Sequence, residues 1–263
     1  MPPINRQFSL ALEALAELKV DSQTPTLHPG PLLAAPALSE VLAGLGSLPR
    51  EALFLGMATD GLPVLLNLHD SVPGPVLVAG DAGGGKTAFL RSIARALVLT
   101  HQPSEVKFGV VTSHADEWED IRTLPHCLGI FSSYDSSGQD FLLSLAAWAH
   151  GNTRAGQSML LLIDDLEAVA GLDFNALQTL RWLLARGPAR RAWPFVTLNA
   201  ARYGQVLAWI PNFRTRIFGR IQDARIAGAL GGDAASALET LQAGIQFSLR
   251  ENGSWLRFWL PSS

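Results

Sequence analysis

The sequence predicts an α/β fold: a mostly parallel sheet with helices on both faces. Three observations carry that prediction. Strand-like and helix-like segments alternate from Pro75 onward. The strand-like segments are continuous apolar runs, as expected of strands buried on both faces. A glycine-rich turn joins the first of these runs to the first long helix. Helical crossovers between apolar strands are the signature of parallel βαβ units.

The elements follow in order. Residues 5–20 read as a helix, with Phe8, Ala11, Leu12, Leu15 and Leu18 on one face. Pro25, Pro29, Pro31 and Pro36 then mark a linker, and a short helix follows near 37–45. Residues 1–50 are thus expected to be a helix plus linker, and 51–263 the main domain. Ala52–Met57 and Pro63–Leu68 read as a hairpin around Ala58-Thr-Asp-Gly61. Core strands are expected at Pro75–Ala79, Val106–Val111, Met159–Ile163, Phe195–Leu198 and Arg216–Ile221. Helices are expected at Thr87–Leu99, Gln139–His150, Phe174–Ala185 and Ala234–Leu241. Ile245–Leu249 and Trp255–Leu260 read as a closing hairpin.

The chemistry lies in Gly80-Asp81-Ala82-Gly83-Gly84-Gly85-Lys86-Thr87, which matches G-x-x-x-x-G-K-[ST]. It follows an apolar strand and opens the helix beginning Ala88-Phe-Leu, the context a phosphate-binding loop requires. Glycines let backbone N–H groups curl around phosphate oxygens, and the helix N-terminus adds positive dipole. The cofactors implied are ATP and Mg²⁺: Lys86 for the β/γ-phosphates, the Thr87 hydroxyl for the metal. Ser158–Asp165 supplies five apolar residues and then two acids. Asp164 suits the metal shell, and Asp165 suits orienting or deprotonating the attacking water. The strand at 195–198 ends in Asn199, which reads either as a γ-phosphate sensor or as a plain helix cap.

Composition sets limits. The chain has 263 residues, 20 Lys+Arg against 23 Asp+Glu, and a formal net charge of -3, which excludes a wholly basic nucleic-acid binder. A single cysteine, Cys127, excludes a disulfide framework or a multi-cysteine zinc site. No basic n-region or long apolar run is visible, so the expectation is a cytoplasmic chain without a membrane span. The charge is segregated: residues 112–173 hold ten acids and two arginines, and residues 174–222 hold eight arginines and no acid. Arg186-Gly-Pro-Ala-Arg190-Arg191 reads either as a DNA-phosphate contact or as a solvated turn.

On these motifs the chain resembles the FtsK/SpoIIIE branch of the FtsK–HerA superfamily over roughly residues 51–260. The matching segments are Leu55–Leu68, Val76–Thr87, Leu124-Pro-His126, Thr215–Ile221, Ala229-Leu-Gly-Gly232 and Leu241–Phe247. Asp164-Asp165 is also similar to the pair in FtsK-like ATPase domains of type VII secretion. The resemblance implies a RecA-like P-loop NTPase core with flanking β-hairpins. It implies an Mg²⁺-dependent ATPase working as a homo-oligomeric ring, a hexamer, that moves double-stranded DNA. It also leaves a protein-secretion or assembly ATPase and a weakly active nucleotide-binding scaffold as alternatives. Arg216 or Arg220 then completes a neighbour's site as an arginine finger. The N-terminal helix is a candidate protein-binding element. One departure stands out: Ala201 occupies a position where the family's strand-end tripeptide carries Gln.

Overall fold

The structure, a computed structural model, describes residues 35–152, 156–169, 171–251 and 253–262. The helix expected over 5–20 and most of the proline-rich linker lie outside them. The described elements are helix α1 (Leu38–Leu45), β1 (Ala52–Ala58), β2 (Pro63–Asn67), β3 (Val76–Gly80), α2 (Lys86–Thr100), β4 (Val106–Thr112), β5 (Cys127–Ser132) and α3 (Ser136–Gly151). Then come β6 (Ser158–Asp164), α4 (Phe174–Arg186), β7 (Ala192–Asn199), β8 (Thr215–Phe218), α5 (Ala224–Leu230), β9 (Gln246–Glu251) and β10 (Ser254–Trp259). Short helical turns fill several connections.

All ten strands join one sheet in the order β2-β1-β10-β9-β8-β3-β7-β6-β4-β5. The six from β8 to β5 are mutually parallel. The two expected hairpins, β1–β2 and β9–β10, do not stand apart from this core. β9 pairs antiparallel with β8, and β10 with β1, so the hairpins extend the same sheet.

Period-two alternation along each strand divides the core between the two faces. Val76 and Val78 of β3, with Phe108 and Val110 of β4, pack against Phe89, Leu90, Ile93 and Leu97 of α2. Those helix positions repeat with helical spacing, so one face of α2 is apolar. Full burial of Phe89 alone is worth about 1.5–3 kcal/mol. Leu77 and Ala79 point the other way, with Leu161 and Ile163 of β6, into a cluster containing Leu142 and Leu145 of α3 and Leu180 and Leu183 of α4. Asp135 and Asp173 cap α3 and α4 by accepting from Ser137 N and Ala176 N.

Three local expectations change. The stretch at 234–241 is not one helix but two short 3₁₀ turns, Ala234–Ser236 and Leu238–Thr240, broken at Ala237, whose φ is 42°. The helix of this region is α5, just upstream. It is capped by Asp223 at its start and closed by left-handed Gly231, φ 103°. β5 is an additional parallel strand at the sheet edge. Its mostly half-exposed residues dilute the apolar run that marks buried strands.

The functional consequence is the alignment of strand ends. Parallel register sets Gly80 beside Asn199 and Thr112 beside Asp164. The glycine-rich turn, the acid pair and the Asn199 strand tip therefore share the carboxyl edge of the sheet, where open α/β sheets bind ligands.

Gly109 tests the packing of α3 on this sheet. A Cβ there lies 2.2 Å from Phe141 Cζ, and Phe141 is stacked on Phe131 at 4.3 Å between centroids. Gly109→Ala is expected to cost about 1–3 kcal/mol, read as a lower denaturant midpoint. An unchanged midpoint would show that Phe141 yields freely.

Candidate nucleotide site

The loop between β3 and α2 is shaped by its own backbone. Gly84 N donates to Asp81 O at 3.0 Å, and Asp81 N donates to Arg220 O at 2.9 Å. Gly85 adopts φ 84°, and a Cβ there would sit 2.4 Å from Gly244 Cα. Only glycine fits, because conformation and space both exclude a side chain. Gly244 N donates to Gly84 O at 3.2 Å, so the turn before β9 braces the loop.

Helix α2 then starts at Lys86 with no side-chain cap. Its first N–H groups are left to a ligand, and the helix dipole favours an anion there. Lys86 is largely buried, and its Nζ donates to Asp81 O at 2.9 Å. Burial pushes its pKa down, while the charges of Asp165, Glu167, Asp164 and Asp81 oppose that shift. A backbone cradle, an uncapped helix start and a buried ammonium fit an anionic phosphate group. Ala82 and Ala88 occupy flanking positions of the same loop and helix.

The acid side is built on β6. Asp164 is 3% exposed and ends the strand. Thr87 Oγ1 donates to Asp164 Oδ2 at 2.9 Å, and Thr197 Oγ1 donates to Oδ1 at 2.9 Å. Burial pushes the Asp164 carboxyl up; the two hydroxyls oppose this, and Asp165 adds to it. A buried carboxylate beside a threonine hydroxyl, with a phosphate cradle alongside, is the donor set of a hard divalent cation. Thr87 and Asp164 would hold Mg²⁺ through oxygen, directly or through water.

Asp165 is held differently. Its φ is 79°, a left-handed conformation uncommon outside glycine that aspartate tolerates better than most residues. Its N–H donates to Thr197 Oγ1 at 2.7 Å, and its Oδ2 accepts from Ser113 Oγ at 3.1 Å. Thr197 therefore serves both acids at once. It lies in the middle of an apolar run, where sequence reading takes it for a strand residue; its sole signal is a hydroxyl amid buried carbon. Glu167 was also missed. Its Oε2 is buried without a partner, and burial pushes its carboxyl up.

Asn199 lies in register with Gly80, and its Oδ1 caps the next turn by accepting from Ala201 N at 3.2 Å. The two arginines separate. Arg216 is used inside its own chain: Nη1 donates to Leu230 O at 2.8 Å and Nη2 to Ile210 O at 3.2 Å. It pairs with Leu77, three residues back from Gly80, so it sits away from the loop. Arg220 adjoins the loop through its backbone, and its Nε has no hydrogen-bond partner.

Thr197→Val keeps the volume and removes the shared hydroxyl. The expected loss is about 1–3 kcal/mol of stability, because a buried carboxylate and an N–H each lose a partner. Mg²⁺-dependent nucleotide binding, followed by fluorescence titration, is expected to weaken in parallel. Unchanged values in both measurements would remove Thr197 from the site.

Residues 51–135 match the model of the FtsK/SpoIIIE family. The ESX secretion system protein YukB of Bacillus subtilis (strain 168) is 26% identical over 170 residues, which are 64% of this chain and 10% of that protein. EccC (ATPases 2 and 3) of Thermomonospora curvata, solved with a signal sequence peptide, superposes with a TM-score of 0.69 at 16% identity. That match covers 92% of this chain and 46% of EccC. The pCW3 conjugation coupling protein TcpA gives a TM-score of 0.65 at 13% identity, over 98% of this chain and 82% of that one. The chain thus spans about a tenth of the curated relative and less than half of the EccC chain. Among the described residues, no helix is long and apolar enough to cross a membrane. The chain thus carries an FtsK/SpoIIIE family match over residues 51–135, and its fold is similar to those of EccC and TcpA.

Proposed function

We propose that the chain is an Mg²⁺-dependent ATP-hydrolysing motor subunit that works in a cytoplasmic ring and acts on a protein substrate of the type VII secretion kind. The observation that carries the chemistry is Thr87 and Asp164 joined at 2.9 Å beside the cradle that holds Lys86. Bound Mg²⁺ supplies charge neutralisation at the phosphates. Lys86 leaves Asp81 O to meet the β/γ-phosphates, Asp165 orients water, and Asn199 reads the γ-phosphate from the neighbouring strand tip. The sequence relationship to YukB supports a protein cargo.

Double-stranded DNA is the second reading, favoured by the FtsK/SpoIIIE match over 51–135 and by the arginine-rich stretch. Among the described residues, none of the arginines at 181, 186, 190, 191, 202, 214, 216 and 220 forms an ion pair with an acid. Unpaired basic charge of this kind suits a neighbouring subunit or a polyanion.

Phosphate release from the purified chain is the first measurement. Lys86→Ala is expected to lower it by roughly 10²-fold or more, since a donor aimed at transition-state charge is lost. A several-fold stimulation by a secretion-substrate peptide, with no response to duplex DNA, supports the protein reading. The reverse pattern moves the assignment to DNA. ATP binding without release, in every condition, would leave a nucleotide-binding scaffold.

Arg220 is proposed to act across a subunit boundary, where a finger is worth roughly 10³–10⁵ in rate. Arg220→Ala subunits mixed with Lys86→Ala subunits are expected to recover activity that neither has alone. Absence of recovery would confine Arg220 to its own subunit.

A further inference from the structure

Asp165 is short for a residue that must reach an attacking water, and its surroundings are unusually specific. One backbone conformation and two hydrogen bonds act on it. The backbone is left-handed at φ 79°, its N–H is held by Thr197, and one carboxylate oxygen, Oδ2, is held by Ser113 from the tip of β4. Ser113 Oγ also lies 2.9 Å from His114 Nδ1, and that nitrogen is 3.7 Å from Asp165 Oδ2. His114 N donates to Thr112 Oγ1 at 3.0 Å, which fixes the start of the loop carrying both residues.

Proton counting gives this cluster a direction. A serine hydroxyl has one proton, and an ionised carboxylate can only accept. Ser113 Oγ donates that proton to Asp165 Oδ2 at 3.1 Å. The contact with His114 can then be a hydrogen bond only if the imidazole donates. His114 must carry its proton on Nδ1, leaving Nε2 bare when the ring is neutral. The result is a one-way chain, His114 Nδ1–H to Ser113 Oγ–H to Asp165 Oδ2.

We infer that Ser113 and His114 are positioning residues that anchor one oxygen of Asp165 through this chain, so that the other oxygen, Oδ1, is presented in a fixed orientation to the attacking water. The inference rests on the hydrolytic reading of the site and assigns it two residues from the loop after β4, outside both phosphate-binding motifs. The physical benefit is preorganisation. A short side chain with a held backbone and one tethered oxygen needs no reorientation when the water is activated. Held in this way, a shorter acid can do the work of a longer, freer one.

Two measurements decide it. The first is steady-state turnover of Ser113→Ala and Ser113→Thr beside the wild-type chain, with nucleotide affinity measured separately. Ser113→Ala is expected to lower kcat by roughly 10–100-fold, as for other residues that orient a reacting group. KM and ATP affinity are expected to stay unchanged, and the threonine hydroxyl to restore most of the rate. Wild-type kcat in Ser113→Ala, or a loss of ATP affinity together with no rescue by threonine, would overturn the inference. The second measurement is the tautomer of His114, read by imidazole ¹⁵N NMR of the full chain in alkaline buffer. The His114→Gln variant assigns the signal. The Nδ1–H form is expected in the wild type and its loss in Ser113→Ala. A predominant Nε2–H form in the wild type would refute the chain. The two readouts separate the premises. If the wild type releases no phosphate, the hydrolytic reading fails while the tautomer still decides the chain.

Discussion

The buried carboxylate of Asp164 is the constraint around which the site is assembled. One oxygen takes the hydroxyl of Thr87, from the helix that follows the phosphate loop, and the other takes Thr197, from the middle of β7. Three segments far apart in sequence are thus tied through a single group that burial would otherwise make costly. Charged-group hydrogen bonds of this kind are worth about 1.5–3 kcal/mol each, and a buried acid stripped of them is a liability of similar size. The same geometry explains why a divalent cation suits the place: it would relieve the burial that pushes the carboxyl up.

Around this point the sheet acts as a ruler. β3 lies between β7 and β8, so the phosphate loop has the Asn199 strand tip on one side and Arg220 on the other. The antiparallel extension contributes as well. The turn at Gly244, just before β9, packs against Gly85 so closely that no side chain fits there. Strands that a sequence reading treats as peripheral hairpins therefore help define the phosphate cradle. The use of Arg216 follows the same logic. It satisfies the carbonyls of Ile210 and Leu230, closing off the connection before β8 and the end of α5.

Much of this was legible beforehand because the strongest signals are local. Continuous apolar runs marked β3, β4, β6 and β7, and the glycine-rich turn marked the cradle. The acid pair at the end of β6 was visible for the same reason, since charge directly after five apolar residues is conspicuous. Less legible were features defined by neighbours. β5 is an edge strand whose half-exposed residues carry no strong period. Ala237 breaks an otherwise helical pattern by adopting φ 42°, which alanine does not announce. Asp223 caps α5 and Gly231 closes it, two local signals that the sequence reading left unused.

The sequence by itself determined the groups on offer: a glycine-rich loop, a hydroxyl, a carboxylate and a second acid beside it. Residue type and spacing suffice there, because the phosphate loop is contiguous and the acids close a buried strand. Only the tertiary structure decided how those groups are aimed. Thr197 became the shared anchor of two acids, Ser113 and His114 came to bear on Asp165, and Arg216 and Arg220 parted company. The reason is that parallel register brings together strand ends and loops separated by dozens of residues, and a hydrogen bond depends on direction as well as on composition.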